Sequence, residues 1–256
     1  MNDNISVQDA VDMISKASWY HSFEVLPGII TPGKHVTDAA AVFNDMFNLS
    51  RNLEGMRALD IGALDGPYTF ELERRGAEVV AVDIKNPDRT GFNTAKTVRG
   101  SKAQYIQGNV YELSRLINGK FDLILFFGVW YHLKHPLIAF NEISKLLSAD
   151  GLLLLEGECL RNYAEFPGGV DGENPSDLVR VMAESSLPIT LFYSDRYKGD
   201  KTNWFVPNLA CIREWLHSSG FKLTSHEFWD SYPNQRMRGT AKKNPDYEID
   251  IDNPVG

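Results

Sequence analysis

Arg57-Ala58-Leu59-Asp60-Ile61-Gly62-Ala63-Leu64-Asp65-Gly66 is a short apolar run that ends in an acid and breaks into a turn of small residues. A helical pattern begins at Pro67. Strand, tight loop and helix N-terminus in this order make up the nucleotide-binding turn of an α/β sheet. Leu64 and Pro67 stand where a dinucleotide fingerprint has its second and third glycines. Side chains there obstruct the close backbone approach that a pyrophosphate needs. A cofactor without phosphates makes no such demand, so an NAD-dependent oxidoreductase is disfavoured.

Outward from this turn the chain alternates strand and helix. Strands are expected at 57–61, 79–83, 103–107, 121–127 and 151–157, and helices at 67–75, 110–117 and 136–147. Val79-Val80-Ala81-Val82 and Leu123-Ile124-Leu125-Phe126-Phe127 are near-continuous apolar runs. Such runs mark a sheet covered on both faces, hence mostly parallel. Residues 85–102 are polar and only weakly helical in pattern. Residues 207–219 read as a helix closed by Gly220 at C′, with closing strands at 221–229 and 236–242.

Two further helices are expected at 7–17 and 37–49. The second has Thr37 or Asp38 as N-cap and Val42, Phe43, Met46 and Phe47 on one face. Between them, Trp19-Tyr20-His21-Ser22-Phe23 and Thr31-Pro32-Gly33 mix aromatics with Pro and Gly, as an ordered cap does. Residues 159–207 contain Pro167-Gly168-Gly169, Asp171-Gly172 and Pro188. A loop-rich insertion of this length is expected to be a lid or binding loop. The whole reads as one domain: cap 1–50, cofactor-binding core 51–158, lid 159–207, closing helix and strands 208–243, and a loose acidic tail 244–256.

The 256 residues, 43% of them hydrophobic, suffice for one sizeable core. A net charge of −8 argues against a broad nucleic-acid surface. The two cysteines, Cys159 and Cys211, give no disulfide framework and fit a reducing cytoplasm. The first ten residues carry Asp3 and Asp9 and no apolar core, so no secretory signal is expected. No apolar run approaches the roughly 18 residues of a membrane span. No Cys/His cluster has metal-ligand spacing, and no metal is expected.

Asp83 ends the second strand 21 residues after Gly62. An acid there binds ribose hydroxyls in adenosine sites of this topology. Asn109 follows the third strand, where a side-chain amide reads an adenine edge. With Asp60, Gly62, Ala63, Asp65 and Gly66 of the turn, these form the expected cofactor set. Ile84, Val110, Phe127 and Tyr131 complete it.

The acid-x-Gly turn, Asp83, Asn109 and the Asp150-Gly151 turn before the fifth strand occur in the order typical of the class I S-adenosylmethionine-dependent methyltransferases, which the chain resembles over roughly 55–158 and 205–242. The resemblance implies a Rossmann-like three-layer sandwich with a mostly parallel seven-stranded sheet in the order 3-2-1-4-5-7-6, and S-adenosylmethionine as cofactor. The chain departs from the family at Leu64, where glycine is usual, and at Asn109, where Asp is commoner. Gly128-Val129-Trp130-Tyr131-His132-Leu133-Lys134-His135-Pro136 and Asp195-Arg196-Tyr197…Phe205-Val206-Pro207 are similar to motifs of the tRNA wobble-uridine carboxymethyltransferase group and its small-molecule relatives. That similarity implies that Tyr131 contacts the transferring end of the cofactor. It aligns Arg236, loosely, with an arginine that pairs with a carboxylated sulfonium. The chain lacks most of the longer N-terminal region of the tRNA enzyme, so ordinary S-adenosylmethionine is expected.

Methyl transfer from a sulfonium is an in-line displacement in which alignment is the enzyme's main task. The aromatic faces of Trp130 and Tyr131 suit the positive charge. A hydroxyl acceptor requires a base: His132 is the first candidate and His21 the second, with His135 structural. Tyr20, Trp130, Tyr193, Arg196, Tyr197, Trp204 and Arg236 are the candidate acceptor contacts. Glu156 and Glu158 read as solvated strand-end carboxylates. The expected activity is methylation of oxygen or nitrogen on a small-molecule acceptor. Two alternatives stand: a tRNA wobble-uridine (carboxy)methyltransferase, and a non-catalytic nucleoside-binding module.

Overall fold

The computed structural model describes residues 5–166, 169–171, 177–231 and 234–247. The expected turns at Gly168 and Gly172, the end of the tail and the first residues of the chain lie outside these. The chain divides into two units, Met1–Ile124 and Leu125–Gly256.

The first unit opens with α1 (Val7–Lys16), capped by the Ser6 hydroxyl accepting from Asp9 N. Four short strands follow: β1 (His21–Ser22), β2 (Glu24–Leu26), β3 (Ile29–Ile30) and β4 (His35–Val36). β1 pairs parallel with β4, and β2 antiparallel with β3. The cap is thus part helical and part extended. α2 (Ala39–Ala41) starts at Asp38, whose side chain accepts from Ala41 N, and continues into a π-helical turn over Val42–Met46. Of the four apolar residues placed on its face, Phe43 is fully buried.

Then come β5 (Arg57–Ile61), α3 (Pro67–Arg74), β6 (Glu78–Asp83), α4 (Phe92–Arg99), β7 (Gln104–Gln107) and α5 (Leu113–Leu116). β5, β6 and β7 are parallel neighbours. The weakly patterned stretch contains α4, which starts and ends on left-handed glycines, Gly91 and Gly100, and buries Phe92, Ala95 and Val98. That stripe joins Ala10 and Ile14 of α1 and Phe70 of α3 in one hydrophobic cluster. β8 (Phe121–Phe127) carries the chain into the second unit.

The second unit contains α6 (Pro136–Leu146), β9 (Leu147–Glu158), β10 (Ala164–Phe166), β11 (Gly169–Asp171), α7 (Asp177–Glu184), β12 (Thr190–Phe192), β13 (Phe205–Pro207), α8 (Leu209–Ser218), β14 (Phe221–Ser231) and β15 (Asn234–Lys243). The insertion is more structured than its Gly and Pro content suggests. It holds the hairpin β10–β11, the pair β12–β13 and α7. Leu160, Tyr163, Val179, Tyr197 and Val206 give it a small core of its own. Asn208, fully buried, caps α8 through Oδ1 and donates from Nδ2 to the carbonyls of Met182 and Leu187.

The principal sheet has seven strands in the order β7-β6-β5-β8-β9-β15-β14. Numbered along the chain within the sheet, this is 3-2-1-4-5-7-6, as expected from the sequence. The β15 strand runs antiparallel to both β9 and β14.

Candidate functional site

The turn after β5 is built from positive φ values at Gly62 (82°), Leu64 (53°) and Gly66 (90°). Gly66 is obligatory: a Cβ there would lie 2.7 Å from Phe70 and 2.8 Å from Phe92. Leu64 adopts the same left-handed backbone without being glycine, at a cost of about 1 kcal/mol. The loop keeps its shape because Asp83 Oδ2 accepts from Leu64 N at 3.0 Å and Gly62 N donates to Val82 O at 2.8 Å. Leu64→Gly should therefore raise stability by about 1 kcal/mol, read as a melting-point increase of a few degrees.

Asp60, at the end of β5, is buried and accepts a 2.6 Å hydrogen bond from the Thr69 hydroxyl. Burial pushes its carboxyl up from 3.8 to about 6, against the pull of Thr69 and with help from the nearby Asp83 charge. Asp83 is half-buried; its second oxygen accepts from Lys85 N at 2.9 Å. Asn109 caps the following 3-10 turn by accepting from Tyr111 N through Oδ1. Val110 is buried and Ile84 is exposed. An open cavity of about 480 Å³ is lined by Trp19, Tyr20, Thr90 and Gln107, among others, and by Leu64 and Lys85, whose N–H groups donate to Asp83.

Asp65 lies apart from the role the sequence suggests. It is fully buried and its carboxylate is committed to the cap. Oδ2 accepts from Tyr20 N at 2.9 Å and His21 N at 2.8 Å, and Oδ1 pairs with His21 Nδ1. With a proton on Nδ1, the neutral His21 ring presents Nε2 as its basic nitrogen.

In the second unit Arg236 is the hub. It forks onto Glu156 with Nε–Oε1 at 2.5 Å and Nη2–Oε2 at 2.6 Å, and Nη1 donates to the Tyr131 hydroxyl at 3.0 Å. Burial opposes the Arg236 charge, but Glu156 and Tyr131 hold its pKa above the ordinary value. Burial raises the Tyr131 hydroxyl in spite of Arg236. Glu158 is buried, accepts from the Tyr197 hydroxyl at 3.0 Å and from Lys198 Nζ at 2.5 Å, and lies 3.8 Å from Arg236. Burial raises Glu158 and lowers Lys198, each toward its neutral form. The expectation of solvated carboxylates at 156 and 158 is thus corrected: Glu158 is buried, and the partly exposed Glu156 is paired with Arg236. Lys198 itself has φ 51°, a second non-glycine left-handed residue.

Trp130 is buried, donating Nε1–H to Glu158 O, and Tyr197 belongs to the insertion core. Neither offers a free face, which corrects their assignment as acceptor contacts. Tyr193 packs on Tyr197 with ring centroids 4.6 Å apart, and its hydroxyl accepts from Glu165 N. Burial raises that hydroxyl to about 12. Arg196 is exposed and pairs with the adjacent Asp195. Trp204 donates its backbone N–H to Tyr131 O at 2.8 Å and stacks beneath Lys134 at 4.3 Å. Tyr20 is half exposed and stacks on His35. Phe127, the last residue of β8, is half-buried. His132 Nδ1 lies 3.0 Å from Thr202 Oγ1, which donates to Asp200 Oδ1 at 2.7 Å. Gln235, fully buried, accepts from Arg161, Asn162 and Tyr163 N and donates to Tyr163 O and the Tyr197 hydroxyl. No sequence signal marks the partners of Gln235, Lys198 and Asn208, since a polar residue in a strand or loop carries no local sign of a distant partner. Among the described residues no cluster of His, Cys, Asp and Glu is arranged to hold a metal, and no helix is long and apolar enough to cross a membrane.

Residues 59–155 match the family described as a methyltransferase domain. The chain is 29% identical over 171 residues to a tRNA U34 carboxymethyltransferase of Pseudomonas aeruginosa, covering 66% of this chain and 46% of that protein. It therefore spans about half the length of that curated relative. Two solved structures share the fold. The N-terminal domain of EvdMO1, crystallised in the presence of S-adenosylhomocysteine and D-fucose, has a TM-score of 0.63 at 16% identity, over 95% of this chain and 98% of that one. The 1,6-didemethyltoxoflavin-N1-methyltransferase of Burkholderia thailandensis has a TM-score of 0.53 at 17% identity, over 80% of this chain and 76% of that one. Residues 59–155 thus resemble a methyltransferase domain, and the fold is the one seen in these solved structures.

Proposed function

We propose that this protein transfers a methyl group from S-adenosylmethionine to an oxygen or nitrogen of a small-molecule acceptor. The observation that carries the reading is Asp83: a strand-end carboxylate that accepts from Leu64 N and Lys85 N, and those two residues line an open cavity together with Trp19 and Tyr20. The residues fit an adenosine. Asp83 retains lone pairs for ribose hydroxyls, Asn109 keeps its amide for the base, and Asp60 offers an anionic oxygen to an ammonium group. When bound, the cofactor supplies a methyl already activated by the sulfonium. The chain's work is to bind, to orient and to take a proton.

For the proton, His21 is the better-held base. Its Nδ1 is fixed by the buried Asp65, whereas His132 leans on the exposed Thr202. This reverses the ranking that the sequence suggests. Tyr131 is the proposed contact to the transferring end. Arg236 is already neutralised by Glu156, so its charge does not call for a carboxylated donor, and ordinary S-adenosylmethionine is the proposed one. Small-molecule substrates are named for one of the two structural neighbours, whereas the curated relative acts on tRNA. The acidic balance of this chain favours the former.

Calorimetry with S-adenosylhomocysteine tests the cofactor site. Asp83→Ala should weaken binding about 10- to 100-fold, the value of hydrogen bonds to a charged acceptor. Equal affinity in variant and wild type removes Asp83 from the site. Radiolabelled methyl transfer to tRNA, and not to small hydroxylated or amino compounds, would replace the small-molecule reading with the tRNA one.

A further inference from the structure

We propose that Asp65 is a positioning residue that acts on the cofactor through the cap, by latching the segment 18–21 to the cofactor turn as one wall of the binding cavity. This rests on the cofactor reading above and assigns Asp65 a role other than direct contact.

Three observations converge. First, Asp65 sits inside the turn 62–66, yet its carboxylate bonds to Tyr20 N, His21 N and His21 Nδ1, more than 40 residues earlier in the chain. A buried carboxylate needs such partners to remain in place. Second, Ser18, Trp19 and Tyr20 line the same cavity as Leu64, Lys85 and Gln107. The cap is therefore a wall of the cavity and not a distant appendage. Third, the segment is seated without spare room. A Cβ on Gly91 would lie 2.7 Å from the Trp19 ring and 2.8 Å from Ser18 O. On its other side, a Cβ on Gly33 would collide with His21 O. Thr31 Oγ1 donates to His21 O at 2.6 Å, and His35 N donates to Tyr20 O at 3.1 Å.

Asp65 is thus the polar joint between the turn and the wall, beside the apolar cluster that Ala63 shares with Phe23 and Trp19. A change in the turn is felt at Tyr20, and release of Tyr20 opens the cavity. Loss of the latch should speed ligand departure more than it slows arrival, because the wall restrains a ligand already inside.

Asp65→Asn keeps the shape and removes the charge. Dissociation of S-adenosylhomocysteine should accelerate, raising Kd at least 10-fold, while hydrogen exchange quickens at residues 18–23 and stays slow in β5 and β6. His21→Ala, which removes the ring contact and keeps the two backbone donors, should shift both readouts in the same direction by less, and it carries the test if Asp65→Asn fails to fold. Wild-type Kd and dissociation rate in a folded variant overturn the proposal. So does weakened binding with unchanged exchange at 18–23, since Asp65 would then act on the ligand directly. Failure of the wild type to bind S-adenosylhomocysteine overturns the cofactor reading itself, and the latch falls with it.

Discussion

Glu156→Gln should destabilise the protein by about 2 kcal/mol, below the roughly 3–5 kcal/mol of a fully buried ion pair, because Arg236 and Glu156 keep 22% and 21% of their side chains exposed. Arg236 places two donors on the two carboxylate oxygens, at 2.5 and 2.6 Å. Glutamine keeps one acceptor and turns an NH₂ group toward a guanidinium that has only donors. The remaining anion, Glu158, lies 3.8 Å from Arg236 and is shared with Lys198. The double replacement Glu156→Leu with Arg236→Met removes both charges, leaves no unpaired ion and should recover most of the loss. Urea denaturation of the wild type and the two variants measures this. Equal losses in the single and double variants would mean that packing, not charge pairing, sets the stability of this cluster.

Asp60→Asn should do the opposite and stabilise the ligand-free protein, by an amount that depends on pH. Burial raises the Asp60 carboxyl from 3.8 to about 6 in the folded state. The folded chain therefore holds this proton more tightly than the unfolded chain. Below the unfolded value both states are protonated and the carboxyl costs nothing. As pH rises through 3.8 toward 6, the unfolded state gains by ionising first, and the cost to folding reaches about 3 kcal/mol above pH 6. Asparagine cannot ionise, and its oxygen still accepts from the Thr69 hydroxyl. The gain should be about 3 kcal/mol near pH 8 and about 0.5 kcal/mol near pH 4. The same variant should bind S-adenosylhomocysteine more weakly, because the carboxylate held at this cost is the one proposed to face an ammonium group. Stabilisation with undiminished binding would leave Asp60 with no role toward the ligand. Stability gained at the expense of binding is the common signature of a functional site.

The parts of the fold legible in sequence are those set by local periodicity. β5, β6 and β8 are apolar runs whose positions follow from local pattern, and Gly66-Pro67 marks the start of α3. α4 gives a weak signal because it buries a single stripe, Phe92, Ala95 and Val98, in an otherwise polar stretch. The insertion reads as loop-rich because its order comes from a small core and from Asn208 and Gln235, whose partners are distant in sequence.

The site follows the same division. Asp83 could be read from its place at the end of a strand. The pairing of Asp65 with His21 and of Glu156 with Arg236 could not, since 44 and 80 residues separate the partners. An acid in a cofactor turn looks like a ligand contact until its hydrogen bonds are counted, and a strand-end glutamate looks solvated until its arginine is found. The left-handed Leu64 is the instructive case between these. Its sequence departs from the glycine expected there, yet its backbone keeps the glycine conformation, held by the Asp83 clasp.

Titration of the purified protein with S-adenosylhomocysteine, ATP and NAD in parallel tests the central claim most directly. Saturable binding of S-adenosylhomocysteine at one site per chain, with no comparable heat from ATP or NAD, is the predicted result. Binding of NAD or ATP in its place, or no heat from S-adenosylhomocysteine, would contradict it.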